Sequence, residues 1–156
     1  MSNSKGIEVG VLDTGEPEKV IQSIELLHGS FAGSDRYTVA RLSEELKQLD
    51  VPLYRQFFIA TLRTNKEERV VGIGGVKAAD WASNTHILYL SAVHPEFRNL
   101  GIGKRLVKDR VHWIRSNFSG GRVLVSTPKI ERFKQFGFRQ VTESCHKGRA
   151  IMLMEY

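Results

Sequence analysis

The chain has 156 residues, of which 41% are hydrophobic and 26% charged. This is an ordinary globular composition that excludes disordered and fibrous classes, and the length is sufficient for one domain over residues 1–156 with its own core. The net charge of +6 suits an anionic partner without identifying it, and the single cysteine, Cys145, excludes an internal disulfide. Since no apolar stretch approaches the roughly 18 residues of a membrane span and the amino terminus lacks a signal-like apolar segment, we expect a cytoplasmic protein without a membrane partner.

Hydrophobic periodicity predicts strands and helices that alternate along the chain. The first part reads as a strand followed by two amphipathic helices, and the middle as three strands rich in β-branched and aromatic residues. In order, these are a strand from Ile7 to Leu12, a helix from Pro17 that stops at His28 and Gly29, a helix with an apolar stripe from Val39 to Leu49, and strands at Gln56 to Leu62, Val70 to Ala78 and Ile87 to Val93. The short polar connectors between these three strands are typical of antiparallel hairpins.

The last third of the chain predicts two further helices and three strands. A long amphipathic helix is followed by a short apolar strand, then by a helix capped by Thr127 with Pro128 at its first position. The predicted elements are a helix from Gly103 to Phe118, a strand at Val123 to Val125, the capped helix that stops at Gly137, and strands at Phe138 to Thr142 and Ala150 to Tyr156. The sequence therefore predicts a mixed α/β (α+β) protein with a mainly antiparallel sheet of about seven strands and about four helices.

One segment, from Arg98 to Lys104, has the chemistry of a phosphate cradle. Two glycines, Gly101 and Gly103, let the backbone approach a ligand, and the segment opens a helix where amide groups and the helix dipole favour an anion. A dinucleotide-binding fingerprint would need a third glycine at Leu106, and a nucleoside triphosphate loop would need a longer spacing that ends in Gly-Lys-Ser/Thr. Both of these nucleotide-binding motifs are absent.

The stretch from Ala92 to Leu106 reads Ala-Val-His-Pro-Glu-Phe-Arg-Asn-Leu-Gly-Ile-Gly-Lys-Arg-Leu, and a short predicted helix ends later in Phe136-Gly137-Phe138. Both features resemble the GNAT superfamily of acyl-CoA-dependent N-acyltransferases, whose motif is a strand ending in Val-x-Pro followed by Arg/Gln-x-x-Gly-x-Gly/Ala at a helix start. The resemblance spans essentially the whole chain. It implies the mixed, mainly antiparallel central sheet of that superfamily and acetyl-CoA as cosubstrate, with no metal.

The resemblance also implies which residues contact the cosubstrate. The pyrophosphate would lie on the loop amides, the pantetheine arm would pair with the end of the preceding strand, and a backbone N–H near Val93 would polarise the thioester carbonyl. The implied cofactor-binding residues are Ser91, Ala92, Val93, Arg98, Asn99, Leu100, Gly101, Ile102, Gly103, Lys104, Ser126 and Phe133.

The acid and base are not assigned by the motif. Many relatives have a tyrosine where this chain has Phe133, and the frequent glutamate of the strand before the loop is missing. The branch related to N-acetylglutamate synthase shares an apolar aromatic at this place, which favours an amino-acid-like acceptor. His86 and Tyr89 lie on the strand that leads to the acyl site and are the candidate catalytic residues, because histidine is the natural base near neutral pH and tyrosine can relay a proton. His28 borders the expected acceptor loop, and Cys145 is expected to have no catalytic role.

The function predicted from these residues is N-acetyltransfer from acetyl-CoA to a primary amine of a small molecule by direct attack in a ternary complex. Two alternatives stay open: acetylation of a protein or peptide amine, and a non-catalytic acyl-CoA-binding module that regulates a partner. A nucleic-acid partner is not expected, since no aromatic-basic or helix-turn-helix signal accompanies the charge. A homodimer is a further expectation taken from the family.

Overall fold

A computed structural model describes residues 6–49, 52–142 and 148–156. The elements in these ranges alternate much as the periodicity predicts. They are β1 (Ile7–Val11), α1 (Pro17–Ser30), α2 (Val39–Glu45), β2 (Arg55–Arg63), β3 (Glu68–Ala78), β4 (Thr85–Val93), a 3-10 turn (Pro95–Phe97), α3 (Ile102–Asn117), β5 (Arg122–Thr127), α4 (Ile130–Gln135), β6 (Arg139–Gln140) and β7 (Ala150–Glu155). The predicted fold class, with seven strands and four helices, is confirmed.

All seven strands form one twisted sheet in the order β1-β2-β3-β4-β5-β7-β6. Every neighbouring pair is antiparallel except β4 and β5, which run parallel. This parallel pairing extends only from Thr85 opposite Arg122 to Leu88 opposite Val125, although β4 continues to Val93. Beyond Leu88 the two strands no longer pair, and we call the unpaired edge between their carboxyl-terminal ends the slot.

Helices cover both faces of the sheet. Helix α3 packs on one face, where its buried side chains Leu106 and Ile114 join Val123 and Met152 in the larger core cluster. Helices α1 and α2 pack on the other face through Leu27, Leu42 and Leu46, which contact Phe57 and Ile73 in a second cluster. Full burial of each such side chain stabilises the fold by roughly 1.5–3 kcal/mol, so both helix layers are firmly attached to the sheet.

Two helix boundaries differ from the sequence prediction. Helix α2 ends at Glu45 rather than near Leu49, because Leu49 is 45% exposed and instead forms an isolated antiparallel bridge with Arg55. Helix α4 begins at Ile130, so the prediction that Thr127 caps a helix starting at Pro128 is wrong. Thr127 still belongs to β5, opposite Ala150, and its hydroxyl accepts a hydrogen bond from the Lys129 amide at 2.9 Å. Cross-strand pairing thus overrides the local capping signal.

Strand β4 carries a bulge that the periodicity did not predict. Tyr89 lies opposite Gly75 and Ala92 opposite Ile73, so the two residues between them, Leu90 and Ser91, together face the single residue Gly74. Leu90 adopts a φ of +48°, a left-handed conformation that a non-glycine residue rarely adopts. The bulge begins two residues after the last β4–β5 pair, and therefore lies beside the slot.

In the described ranges, no helix is both long enough and apolar enough to cross a membrane.

Candidate active site

The loop after β4 is shaped to approach an anion closely. It runs from the 3-10 turn into α3, and two of its residues are left-handed: Asn99 at φ +65° and Gly101 at φ +78°. Gly101 is the N-cap of α3 and offers no side chain to cap the helix. The amide groups of the first turn of this 16-residue helix, where the macrodipole is positive, are therefore left for water or a ligand.

Cationic side chains surround this loop. A Cβ atom at Gly103 would lie 3.0 Å from Nη1 of Arg132, so the guanidinium from α4 packs directly against the loop. Arg98 is exposed and donates to the Val93 carbonyl at 3.4 Å, and Lys104 is exposed on the first turn of α3. Arg105, the third basic residue of the motif, instead donates a hydrogen bond from Nη1 to the Ile7 carbonyl at 3.3 Å. Arg132 could not be predicted from the spacing of the motif, because it is distant from Gly103 in sequence and meets it only in the folded chain.

The sequence-predicted cofactor residues of β4 and β5 flank one slot. Ser91 is exposed on the bulge, followed by buried Ala92 and half-buried Val93. Ser126 lies across the slot on β5, one residue beyond the last β4–β5 pair, and its carbonyl and hydroxyl oxygens accept from Arg149 at 3.0 and 3.5 Å. These residues therefore lie along the unpaired edge that defines the slot.

Phe133, the residue at the usual tyrosine position, belongs to the core. Its side chain is 6% exposed, and its ring centre lies 5.2 Å from that of Phe138 and 6.4 Å from that of Phe136. Such an aromatic cluster supplies an apolar wall without a proton donor. Phe133 therefore contributes apolar surface to the core.

His86 lies on the paired half of β4 and faces the α3 layer rather than the slot. It is 2% exposed, its Nδ1 is 2.6 Å from the Tyr54 hydroxyl and its Nε2 is 3.0 Å from the Tyr156 hydroxyl. The Phe118 ring packs on it at 4.6 Å. Burial lowers the pKa of the imidazole, so it is held neutral. With both ring nitrogens engaged and no open side, this environment argues against His86 as the base.

Tyr89, the other predicted catalytic residue, is the first β4 residue beyond the pairing with β5. Its ring packs beside Phe57 on the α1–α2 face, with ring centres 5.6 Å apart, and Lys77 Nζ lies 4.5 Å from the ring centre. The hydroxyl donates to Oε1 of Glu45 at 2.7 Å. Burial, together with the neighbouring carboxylate of Glu45, raises the pKa of Tyr89 well above its usual value, so the phenol stays protonated.

Glu45, which the sequence analysis did not identify, joins this tyrosine to two cations. Its carboxylate lies 3.5 Å from Lys77 Nζ and 3.4 Å from Arg55 Nη1. Burial alone would raise the pKa of Glu45, but the Tyr89 hydroxyl and the two cations outweigh it and hold that pKa below its usual value. The carboxylate is therefore ionised and fixes the Tyr89 proton. The last turn of α2 brings Glu45 here, across 44 residues of sequence.

Two further histidines, His28 and His94, make hydrogen bonds within loops and turns. His28 is exposed, with its Nδ1 3.2 Å from the Tyr37 carbonyl. His94 caps the 3-10 turn by accepting at Nδ1 from the Glu96 amide at 3.2 Å, and its Nε2 lies 2.9 Å from Arg69 Nη2. Cys145 falls outside the described residues. The described residues contain no group of three or more His, Cys, Asp or Glu side chains arranged to hold a metal ion.

Comparison with known proteins identifies the architecture. The model of the acetyltransferase (GNAT) family matches residues 26–138. Solved structures of the same fold include Rv2747 from Mycobacterium tuberculosis in complex with CoA and NLQ (TM-score 0.70, 19% identity, 96% of this chain and 99% of that one). The PaiA N-acetyltransferase from Thermoplasma acidophilum in complex with coenzyme A superposes with a TM-score of 0.67 at 18% identity over 96% and 99% of the two chains. Escherichia coli ElaA gives 0.69 at 13% identity over 95% and 99%. No curated protein matches the sequence.

Proposed function

The chain belongs to the acetyltransferase (GNAT) family, and on that premise we propose that it transfers an acetyl group from acetyl-CoA to a primary amine of a small molecule. The observation that carries the proposal is that strand β4 connects the slot to the glycine loop. The end of β4 borders an unpaired slot beside β5, and it leads directly into a left-handed glycine loop at the amino terminus of α3. A thioester arm and its phosphates need these two features side by side.

The residues of the loop fit the phosphates of CoA. Gly101 is left-handed with open space at its Cβ position, and Gly103 leaves room for the Arg132 guanidinium, so a phosphate oxygen can approach the first amides of α3 beside this cation. Arg98, Lys104 and Arg132 add positive charge at the same place, and charge-assisted hydrogen bonds to phosphate are about twice as strong as neutral ones. We propose that Arg132 is a cofactor-binding residue in addition to those predicted from sequence.

The slot is suited to hold the acyl arm beside β4. Residues 89–93 have no β5 partner, so an extended arm can pair with this edge as an additional strand would, with the Val93 carbonyl already accepting from Arg98. Acetyl-CoA supplies the activated carbonyl carbon. As the amine nitrogen bonds to that carbon and the carbon–sulfur bond breaks, the N–H proton of the amine ends on the departing sulfur, with water as its carrier. Backbone amides at the bulge would stabilise the charge that develops on the carbonyl oxygen.

Tyr89 is the side chain that we propose to meet the amine. Because its hydroxyl proton is donated to Glu45, the phenol oxygen keeps lone pairs that accept a hydrogen bond from the attacking nitrogen. Holding the nitrogen in line with the acyl carbon accounts for much of the acceleration such enzymes achieve. Glu45 is a positioning residue here, since a carboxylate with a lowered pKa is a poor final acceptor for an ammonium proton.

The surroundings of Tyr89 support a small acceptor. Helix α2 approaches the tyrosine through Glu45, and the ring is only partly exposed between Phe57 and Lys77. This partial enclosure supports a small acceptor over a peptide laid along an open groove. An amino-acid-like acceptor, a homodimer and a cytoplasmic location stay predictions.

The first experiment is calorimetric binding of acetyl-CoA to the wild type and to Gly101→Ala/Gly103→Ala. We expect micromolar binding that the double substitution abolishes. The matched control is Gly120→Ala, which strains another left-handed glycine (φ +85°) at the turn after α3, away from the loop, and should bind within about twofold of wild type. Absence of binding by the wild type refutes the proposal.

Turnover is measured next as thiol release against panels of small amines and of peptides. Release with a small amine supports the proposed acceptor class, and release with peptides alone supports the peptide alternative. Acetyl-CoA binding without any turnover, together with a defined protein partner, supports the non-catalytic acyl-CoA-binding module, for which the apolar Phe133 is the favouring observation.

A further inference from the structure

Arg110 is a buried cation on the sheet-facing side of α3. Its side chain is 1% exposed, and none of the described residues places a carboxylate within ion-pair distance of it. The guanidinium donates from Nε to the Leu106 carbonyl at 3.0 Å and from Nη1 to the Gly75 carbonyl at 2.8 Å. Burial lowers its pKa to about 9. Such a group carries a desolvation cost that an apolar side chain of similar volume would avoid.

A glycine in strand β3, Gly74, leaves the space that this guanidinium occupies. A Cβ atom at Gly74 would lie 2.6 Å from Cζ of Arg110 and 2.9 Å from its Nε and Nη2. On the opposite face of the sheet, a Cβ atom at Gly75 would lie 2.6 Å from the Phe57 ring and 2.9 Å from the Tyr89 ring. Because these two consecutive residues are glycines, the Arg110 guanidinium contacts β3 on one face of the sheet and the Tyr89 ring contacts it on the other.

Gly74 is the residue that faces the bulge of β4. Leu90 and Ser91 lie opposite it, one strand spacing away, which is about 4.8 Å. Leu90 is held in a left-handed conformation at φ +48°, and strain of this kind persists only where neighbouring groups hold the backbone in place. The Arg110 hydrogen bond to Gly75 is the side-chain bond that fixes β3 at this point.

We propose that Arg110 is a positioning residue for acyl transfer, which holds β3 against the β4 bulge and so fixes the Leu90–Ser91 backbone that borders the slot. The inference rests on the proposed function, because that function places the thioester carbonyl beside this backbone. The guanidinium also places a fixed positive charge one strand behind the slot, where water is excluded and charge interactions are stronger than at the surface.

The test compares Arg110→Met and Arg110→Lys with Ile114→Ala, a buried α3 residue one turn further along. Four quantities are measured: the melting temperature, the Kd of acetyl-CoA, kcat separately from KM for the amine, and the carbonyl stretching frequency of bound [1-13C]acetyl-CoA. For Arg110→Met we expect folding close to that of wild type, an acetyl-CoA Kd within about twofold, and a kcat lowered by about tenfold or more. The carbonyl band should move towards its frequency in solution. Arg110→Lys should recover part of both losses.

The control separates positioning from general packing. Ile114→Ala should lower the melting temperature while kcat and the carbonyl band, measured where the protein is folded, stay at wild-type values. Wild-type kcat and carbonyl frequency in Arg110→Met would overturn the inference, as would a loss that only follows the folded fraction. If Arg110→Met does not fold, Gly74→Ala gives the same test, because its Cβ displaces the guanidinium and keeps the charge.

Failure of the inference is distinguishable from failure of the proposed function. If the wild type binds no acetyl-CoA, the proposed function is refuted. Whether Arg110 fixes the bulge is then tested separately, by comparing the NMR amide resonances of Leu90 and Ser91 in the wild type and in Arg110→Met. Resonances in Arg110→Met that match the wild type would refute the role of Arg110 in fixing the bulge. Resonances displaced at the bulge, but not in α1 or α2, would support it.

Discussion

Replacing Tyr89 with phenylalanine removes one hydroxyl and leaves the ring between Phe57 and Lys77. The lost interaction is a 2.7 Å hydrogen bond to an ionised carboxylate, which contributes roughly 1.5–3 kcal/mol. Glu45 keeps its contacts with Lys77 and Arg55, so we expect the lower end of this range, about 1.5 kcal/mol. For a domain of this size that lowers the melting temperature by about 3–6 °C.

The effect on catalysis should exceed the effect on stability. If the phenol oxygen orients the attacking amine, its removal lowers kcat by about 10²-fold, the loss expected when a reacting group is misplaced by about 1 Å. The Kd of acetyl-CoA should stay within about twofold, because the phosphate loop lies at the other end of the slot. Steady-state thiol release with the best amine of the panel, alongside calorimetry, measures both quantities.

Tyr156→Phe is the matched control for this substitution. It also removes a tyrosine hydroxyl from a hydrogen bond, in this case 3.0 Å from Nε2 of His86 on the α3 face of the sheet. We expect it to lower the melting temperature and to leave kcat at the wild-type value. A wild-type kcat in Tyr89→Phe, or an equal loss in both variants, would refute the assignment of Tyr89.

Two further predictions test the phosphate loop and the buried histidine. Arg132→Gln, which keeps the polarity of the side chain that packs on Gly103, should weaken acetyl-CoA binding by about tenfold, corresponding to about 1.4 kcal/mol. Calorimetry at two salt concentrations measures this affinity, and an unchanged Kd would exclude Arg132 as a cofactor-binding residue. The pKa of His86 is lower in the folded chain than the usual 6.5, so protons bind preferentially to the unfolded chain as the pH falls below about 6.5. The free energy of unfolding therefore decreases by at most about 1.4 kcal/mol per pH unit, until the pH passes the folded-state pKa. Urea unfolding between pH 7.5 and 5 should show this decrease and a smaller one in His86→Gln; equal slopes would contradict it.

Local features of the site could be predicted from the sequence because their physical causes are local. The left-handed conformation at Gly101 and the start of α3 depend on glycine and on the adjacent helix-forming residues, and both lie where the motif places them. The order of strands and helices follows from periodicity over short windows, which is why the fold class was predicted correctly. The end of α2 and the start of α4 were predicted less well, because strand pairing of Leu49 with Arg55 and of Thr127 with Ala150 decides them.

Which side chains meet at and near the slot depends on the tertiary structure alone. Glu45 and Tyr89 are 44 residues apart, and Tyr54 and His86 are 32 apart; periodicity shows which positions are apolar, but not which distant residues meet. The same limit applies to Arg132 against Gly103 and to Arg110 against Gly74. The sequence by itself determined the family, the fold class and the glycine loop at the start of α3, because helix starts and glycine turns are set by neighbouring residues. Only the packing of helices on a bulged sheet decided that His86 is enclosed, that Tyr89 lies on the α1–α2 face, and that the buried Arg110 packs on β3 opposite the bulge.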